Sequence, residues 1–181
     1  VTIPGRALSA GFDVLTILAT YLLGRKLLDA RVGLIAAGLY AVTALAIQLS
    51  HFYAVDTFVT FFVTVSLIFL ARIAEKHRWG DYAAFGFFLG LSMASKISIF
   101  PLAFFVVLAV LIRIGRDYDW LPGSLIEGTE DRRIPNRRDL LLAAGGIALA
   151  ALVTVLIFRV AQPYAFMPAG SEEPIDHEAL G

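Results

Sequence analysis

The residues best suited to chemistry lie in a short segment at residues 50–57, where His51 and Asp56 stand among aromatic side chains. A carboxylate can act as a general base or bind a metal ion, and an imidazole can do either. Asp56 could equally cap the helix that follows it, because helix N-termini favour Asp. One histidine and one aspartate do not define a metal site, so the catalytic and structural interpretations both stay open.

Two further ionisable residues, Asp13 and Lys96, lie within stretches that are otherwise apolar. Ionisable groups at membrane depth are costly, which makes them functional candidates. Lys96 is either a lysine that extends to the headgroup level at a helix end or a point charge for an anionic phosphate. Asp13 either hydrogen-bonds a neighbouring helix, through Thr16 or a tyrosine, or lines a polar cavity.

Arg6, Arg159 and Tyr164 flank apolar stretches, and each arginine could be an interfacial anchor or a contact for a charged ligand. His77 is interpreted as a solvated side chain in a turn. The acidic tail at residues 172–178 could bind a divalent cation, although a solvated loop is the simpler interpretation. The chain has no cysteine, which excludes a thiolate metal site. The sequence indicates no definite cofactor, and a divalent cation stays open.

The composition indicates that helices in a membrane position these residues. Of 181 residues, 59% are hydrophobic and 17% are charged, and the mean hydropathy is +0.78. A soluble domain carries about 25% charged residues, and a chain of this length cannot bury so much apolar surface in its own core. The sequence therefore predicts an all-α, polytopic integral membrane helix bundle and excludes a soluble or disordered protein.

About six stretches are apolar enough to cross the bilayer. The block at residues 82–112 is too long for one span, and Ser95-Lys96-Ile97-Ser98 followed by Pro101 predicts a turn that divides it. The predicted spans are residues 7–23, 32–49, 57–71, 82–95, 99–112 and 140–158.

The basic residues favour six spans over five. With six spans, twelve of the fifteen Lys and Arg residues lie on one side, leaving Arg6, Lys96 and Arg159 on the other. With five spans the count is seven against seven, with Lys96 inside the membrane. Because cytoplasmic loops are enriched in Lys and Arg, the loop at residues 113–139 is predicted to be cytoplasmic and the segment at residues 159–181 to be outside.

Several short segments, taken in order, resemble those of a known family. They are residues 5–10, 21–27, 32–37, 51–58, 90–96 and 162–166. They include an Asp ahead of an aromatic-rich helix, a helix of small residues that ends in Ser-Lys, and Gln-Pro-Tyr after a later span. Over nearly the whole chain, this pattern is similar to the bacterial protein O-mannosyltransferase-like enzymes of glycosyltransferase family 39, which have the GT-C fold.

The resemblance implies a membrane enzyme that transfers a sugar from a polyprenyl-phosphate carrier to a protein or lipid acceptor. Transfer would take place at the outer face of a bacterial plasma membrane, among membrane lipids and without nucleic acid. Asp56 would serve as an auxiliary acid, with His51 beside it. The residues implied to bind the donor and its phosphate are Lys96, Arg6, Arg159 and Tyr164.

In that family the principal catalytic acid lies in an outer loop between the first two spans. This chain is expected to begin after that loop and to lack later spans, so the 181 residues alone are expected to be inactive. Two other functions stay open. One is a transporter-like bundle in which Asp13, Asp56 and Lys96 line a path, although no repeat or broken midplane helix supports it. The other is a non-catalytic membrane subunit of a larger complex.

Overall fold

The computed structural model describes residues 3–43, 55–118 and 136–166, and these ranges contain helices and no strand. The predicted all-α membrane bundle is confirmed. Two 3₁₀ helices, Ile97–Phe104 and Pro163–Phe166, accompany the α-helices. The α-helices of the described ranges are α1 (Ile3–Leu27), α2 (Ala30–Ala41), α3 (Val55–Glu75), α4 (Trp79–Ser95), α5 (Phe105–Asp117) and α6 (Arg137–Ala161).

Most of these helices are long enough for a bilayer. Within the described residues, four segments combine sufficient length and hydropathy: Pro4–Leu27, Val55–Glu75, Ile97–Asp117 and Arg137–Ala161. Helix α4 has 17 residues and therefore spans about 25 Å, close to the lower limit for a crossing. Helices α1, α3 and α6 extend beyond the predicted apolar stretches because polar residues at their ends continue the same hydrogen-bonded turns. Helix α2 ends at Ala41, before the predicted end at residue 49, and residues 44–49 lie outside the described residues.

The bundle has two chemically different ends. Lys26 at the end of α1 forms an ion pair with Glu75 at the end of α3, so these two helices run in parallel. We call this the basic end. At the opposite end, which we call the Lys96 end, Lys96 after α4 pairs with Asp56 in the first turn of α3, so α3 and α4 run antiparallel.

The long apolar block folds into a hairpin at Lys96. The Arg113 side chain donates a hydrogen bond of 2.9 Å to the Tyr82 hydroxyl, whereas one straight helix would separate these residues by about 46 Å. Pro101 lies within the 3₁₀ helix that leads into α5, rather than in the α-helical first turn that the sequence suggested. In a continuous α-helix the ring of Pro101 would clash with the carbonyl group of Ile97, which disfavours the α-helical pattern at this point.

Small residues bring α4 and α6 into close contact, as is common where membrane helices pack. A Cβ atom added to Gly86 would lie 2.4 Å from the carbonyl oxygen of Ala150, and one added to Gly90 would lie 2.8 Å from the carbonyl oxygen of Thr154. A Cβ atom added to Gly146 of α6 would lie 2.6 Å from Cζ of the Tyr82 ring. These three glycines therefore allow α4 and α6 to pack closely.

The buried core lies between α3, α4, α5 and α6 and is formed by residues such as Ile73, Phe85 and Val110. Many large apolar side chains instead face outwards, among them Leu34 on α2 and Val160 on α6. Such a surface would be costly in water and is favourable against lipid tails. The described bundle therefore presents an apolar exterior to the membrane and confines its polar groups to the interior and the two ends.

Candidate active site

An ion pair at the Lys96 end joins the break after α4 to the first turn of α3. The backbone of Lys96 is extended, with φ −153° and ψ 104°, and its N–H group donates to the carbonyl oxygen of Ser92, which ends α4. Its Nζ atom lies 2.8 Å from Oδ1 of Asp56, and both side chains are about half exposed. Asp56 lies one residue inside α3, so its carboxylate forms this pair rather than occupying the capping position.

A second carboxylate, Asp13, lies within α1 and has a partner on α2. The hydroxyl of Tyr40 donates a hydrogen bond of 2.9 Å to Oδ1 of Asp13. Thr16, the other partner considered from the sequence, donates its hydroxyl to the carbonyl oxygen of Phe12 instead. The hydrogen bond from Tyr40 compensates part of the cost of placing a carboxylate among apolar helices.

Aromatic contacts hold Asp13 close to the depth of Asp56. The ring of Phe12, next to Asp13, packs edge-on against Phe58 and Phe62 of α3 at centroid distances of 4.8 and 5.8 Å. These geometries are those that aromatic pairs prefer. The first turns of α3 and the N-terminal half of α1 therefore lie side by side in one layer of the bundle.

Two buried hydroxyls belong to the same layer. Ser9 lies one helical turn before Asp13, and Thr57 directly follows Asp56. Both side chains are buried, and neither hydroxyl oxygen has a hydrogen-bond partner within the described residues. The Lys96 end thus combines carboxylates, an ammonium group and unsatisfied hydroxyls in an otherwise apolar bundle.

The other residues expected to bind phosphate also lie at the Lys96 end. Arg6 is in the first turn of α1, Arg159 is in the last turn of α6, and Tyr164 is in the 3₁₀ helix that follows. All three are exposed. Since α6 packs in parallel against α4, its end lies on the same side of the bundle as Lys96.

The described part of the chain contains no cluster of side chains that could form a metal centre. There, no three His, Asp or Glu side chains lie close enough to hold a metal ion. His51 and the acidic tail at residues 172–178 lie outside the described residues, so the divalent cation stays an open expectation.

The basic end contains a histidine whose surroundings the sequence did not reveal. Arg113, only 5% exposed, places Nη1 3.1 Å from Nδ1 of His77. The Nε2 atom of His77 is buried without a partner in the described ranges. Burial, followed by the positive charge of Arg113, lowers the pKa of His77. His77 is therefore partly buried against Arg113, rather than fully solvated as expected from the sequence.

The tyrosine expected as a partner of Asp13 is Tyr40. Two polar residues at the basic end were missed from the sequence: Arg113, and Asp81, which forms an ion pair with Arg72. Asp81 had a usable signal, because it continues the buried stripe of Phe85, Leu89 and Ser92 along one face of α4. Tyr40 and Arg113 are ordinary residues near helix ends, and their partners come from other helices.

The helical bundle, its apolar exterior and its polar ends define an all-α integral membrane protein. The family model for dolichyl-phosphate-mannose-protein mannosyltransferase matches residues 3–126, about two thirds of the chain, and the chain belongs to this family. The resemblance drawn from the sequence motifs is confirmed, and the protein is a membrane glycosyltransferase of the mannosyltransferase type. No curated protein and no solved structure matches the chain.

Proposed function

We propose that this protein transfers a sugar from a polyprenyl-phosphate carrier to a hydroxyl group of a protein or lipid acceptor, at the outer face of a bacterial plasma membrane. The observation that carries the proposal is the half-exposed ammonium of Lys96 at the break after α4. Membership of the mannosyltransferase family supports the transfer chemistry.

The position of Lys96 suits a phosphate that arrives within the bilayer. A lipid-linked donor diffuses in the membrane, and its phosphate meets the protein at headgroup depth. An exposed ion pair such as that between Lys96 and Asp56 contributes at most about 1 kcal/mol. A phosphate forms a charge-assisted hydrogen bond of the same kind, and it can therefore take the place of the carboxylate on Nζ. Arg6 and Arg159 add positive charge at the same end.

In the transfer step, the acceptor hydroxyl oxygen attacks the anomeric carbon as the bond from that carbon to the phosphate oxygen breaks. Polyprenyl phosphate leaves with the electron pair, and the hydroxyl proton passes to a carboxylate. Lys96 stabilises the negative charge that develops on the departing phosphate. Asp56, once the phosphate has taken its place on Lys96, is available as an auxiliary acid that contacts the acceptor.

Replacement of Lys96 tests this assignment. In the full-length protein, Lys96→Ala is expected to lower transfer from a polyprenyl-phosphate sugar by about 100-fold or more, because a preorganised charge at the leaving group is lost. Transfer of radiolabelled sugar in proteoliposomes, at matched protein content, measures the effect. Lys96→Arg keeps the charge and is expected to retain part of the activity.

Arg138→Ala is the matched control. Arg138 is an exposed cation at the start of α6, at the basic end, and its loss is expected to leave turnover unchanged. Wild-type turnover in Lys96→Ala would refute the phosphate-binding role. Equal loss in both variants would mean that overall charge, rather than the Lys96 site, supports activity.

A further inference from the structure

A second polar site lies at the basic end, in a cavity of about 690 Å³ between α1, α3 and α4. Charged side chains from the ends of α1 and α3 and from the turn before α4 form its wall. Leu22 and Ile68 also line it, about one helical turn further into the bundle. The cavity therefore offers charge at the membrane surface and hydrocarbon below it, which fits a lipid better than a soluble anion.

The cavity has an excess of positive charge. Five cations and two carboxylates line it, a surplus of three positive charges. Two of the cations form ion pairs with those carboxylates. The other cations have no carboxylate within ion-pair distance in the described part of the chain, and they are Arg25, Lys76 and Arg78. Three unpaired cations around one cavity favour an anionic ligand, and Arg and Lys are the side chains that bind phosphate best.

Asp81 distinguishes this cavity from a merely basic surface. The residue is 3% exposed and lines the cavity. Its Oδ1 atom lies 2.8 Å from Nε of Arg72, whereas its Oδ2 atom is buried and has no hydrogen-bond donor within the described residues. A buried acceptor left without a donor is costly. A ligand that donates a hydroxyl group to this carboxylate from the cavity lowers that cost.

We infer that this cavity binds the headgroup of an anionic phospholipid that carries a free hydroxyl, as phosphatidylglycerol does. The phosphodiester lies among the three unpaired cations, the headgroup hydroxyl donates to the Asp81 carboxylate, and the acyl chains follow Leu22 and Ile68. A headgroup that ends in an ammonium would also satisfy Asp81 but would be neutral overall, against the surplus of positive charge. Basic pockets between helices bind anionic lipids in the same way. The inference is independent of the proposed transferase reaction.

Lipid titration of the full-length protein tests the site. The protein is stripped of lipid in detergent and titrated with phosphatidylglycerol, phosphatidic acid or phosphatidylcholine of equal chain length. Native mass spectrometry counts the bound lipids, and the Tm reports stabilisation. Phosphatidylglycerol is expected to bind saturably and raise the Tm, phosphatidic acid to bind more weakly, and phosphatidylcholine to have little effect. The double variant Arg25→Ala/Arg78→Ala is expected to raise the Kd for phosphatidylglycerol roughly tenfold or more.

Two further variants distinguish a specific lipid-binding site from a general attraction of anionic lipids to positive charge. Arg138→Ala removes a cation at the same end but outside the cavity, and it is expected to leave the Kd unchanged. Asp81→Ala is expected to abolish the preference for phosphatidylglycerol over phosphatidic acid. If this variant does not fold, the double arginine variant still decides the question. Equal weakening by Arg138→Ala, equal binding of phosphatidylcholine, or equal stabilisation by soluble glycerol phosphate would each overturn the inference.

Discussion

Arg113 shows at the residue scale how one buried charge determines the state of its neighbours. A guanidinium that is 5% exposed is costly unless acceptors meet its N–H groups. The Tyr82 hydroxyl and Nδ1 of His77 are such acceptors, at 2.9 and 3.1 Å. Because Arg113 can only donate, Nδ1 must carry a lone pair, which assigns the proton of His77 to Nε2. This contact favours the neutral form of His77, in keeping with its lowered pKa.

This assignment predicts a stability that depends on pH. The pKa of His77 in the folded protein lies below its ordinary value of 6.5, through burial and then Arg113. Between those two pKa values the unfolded chain binds more protons, so stability falls as the pH drops through this window. His77→Gln keeps an acceptor for Arg113 but cannot titrate. Its Tm is expected to decline less than that of the wild type between pH 7.5 and pH 5. Parallel Tm curves for the two proteins would contradict the assignment.

At the scale of elements, the pairing of α4 with α6 depends on glycine. The Cβ atom of an alanine at position 86 would lie 2.4 Å from the carbonyl oxygen of Ala150, and backbone cannot move aside as a flexible side chain can. A hydrogen bond of 3.2 Å from the Thr154 hydroxyl to the carbonyl oxygen of Gly86 depends on the same close approach. This contact also sets the position of α4, whose last residue, Ser95, directly precedes Lys96.

Two glycines of the same helix provide a matched test. Gly86→Ala is expected to destabilise the protein by about 1–3 kcal/mol, because the added methyl group forces α4 and α6 apart. Gly80→Ala is expected to be neutral or slightly stabilising, since no atom lies within 4 Å of the added Cβ and alanine favours helices. Thermal unfolding in detergent measures both variants. Equal stability of Gly86→Ala and wild type would show that the close packing of α4 and α6 contributes nothing.

The sequence predicts the helices and their breaks better than the pairs of residues between them. Apolar stretches mark the helices, and the polar segment around Lys96 marks the hairpin, because these signals are local. The contact of Asp56 with Lys96 joins residues 40 positions apart, and it depends on which helices are neighbours and how each is rotated. The same holds for Asp13 and Tyr40, 27 positions apart. Asp81 falls between these two cases. Its place on the buried stripe of α4 can be read from the neighbouring sequence, whereas the cavity that it lines depends on how α1 and α3 pack against α4.

At the scale of the whole molecule, the alternating helix directions give the two ends their different chemistry. Lys26, Arg72 and Arg113 lie at the end where α1, α3 and α5 finish. Lys96, Arg6 and Arg159 lie at the end where α4 and α6 finish and α1 begins. In the six-span prediction these are the cytoplasmic and outer sides, because positive charge is retained in the cytoplasm. The proposed donor site and the proposed lipid site would then face opposite leaflets.

Cysteine labelling of the full-length protein tests this orientation. The 181 residues of the sequence contain no native cysteine that would interfere. Ser98 is exposed just after the break at Lys96, and Arg138 is exposed at the start of α6. A membrane-impermeant maleimide added to intact cells is expected to label Ser98→Cys and to leave Arg138→Cys unlabelled until the cells are permeabilised. The reverse pattern would place Lys96 in the cytoplasm, where a donor presented at the outer face could not reach it. Labelling of both positions in intact cells would exclude a crossing by α5, because Ile97–Asp117 is the apolar segment that separates them.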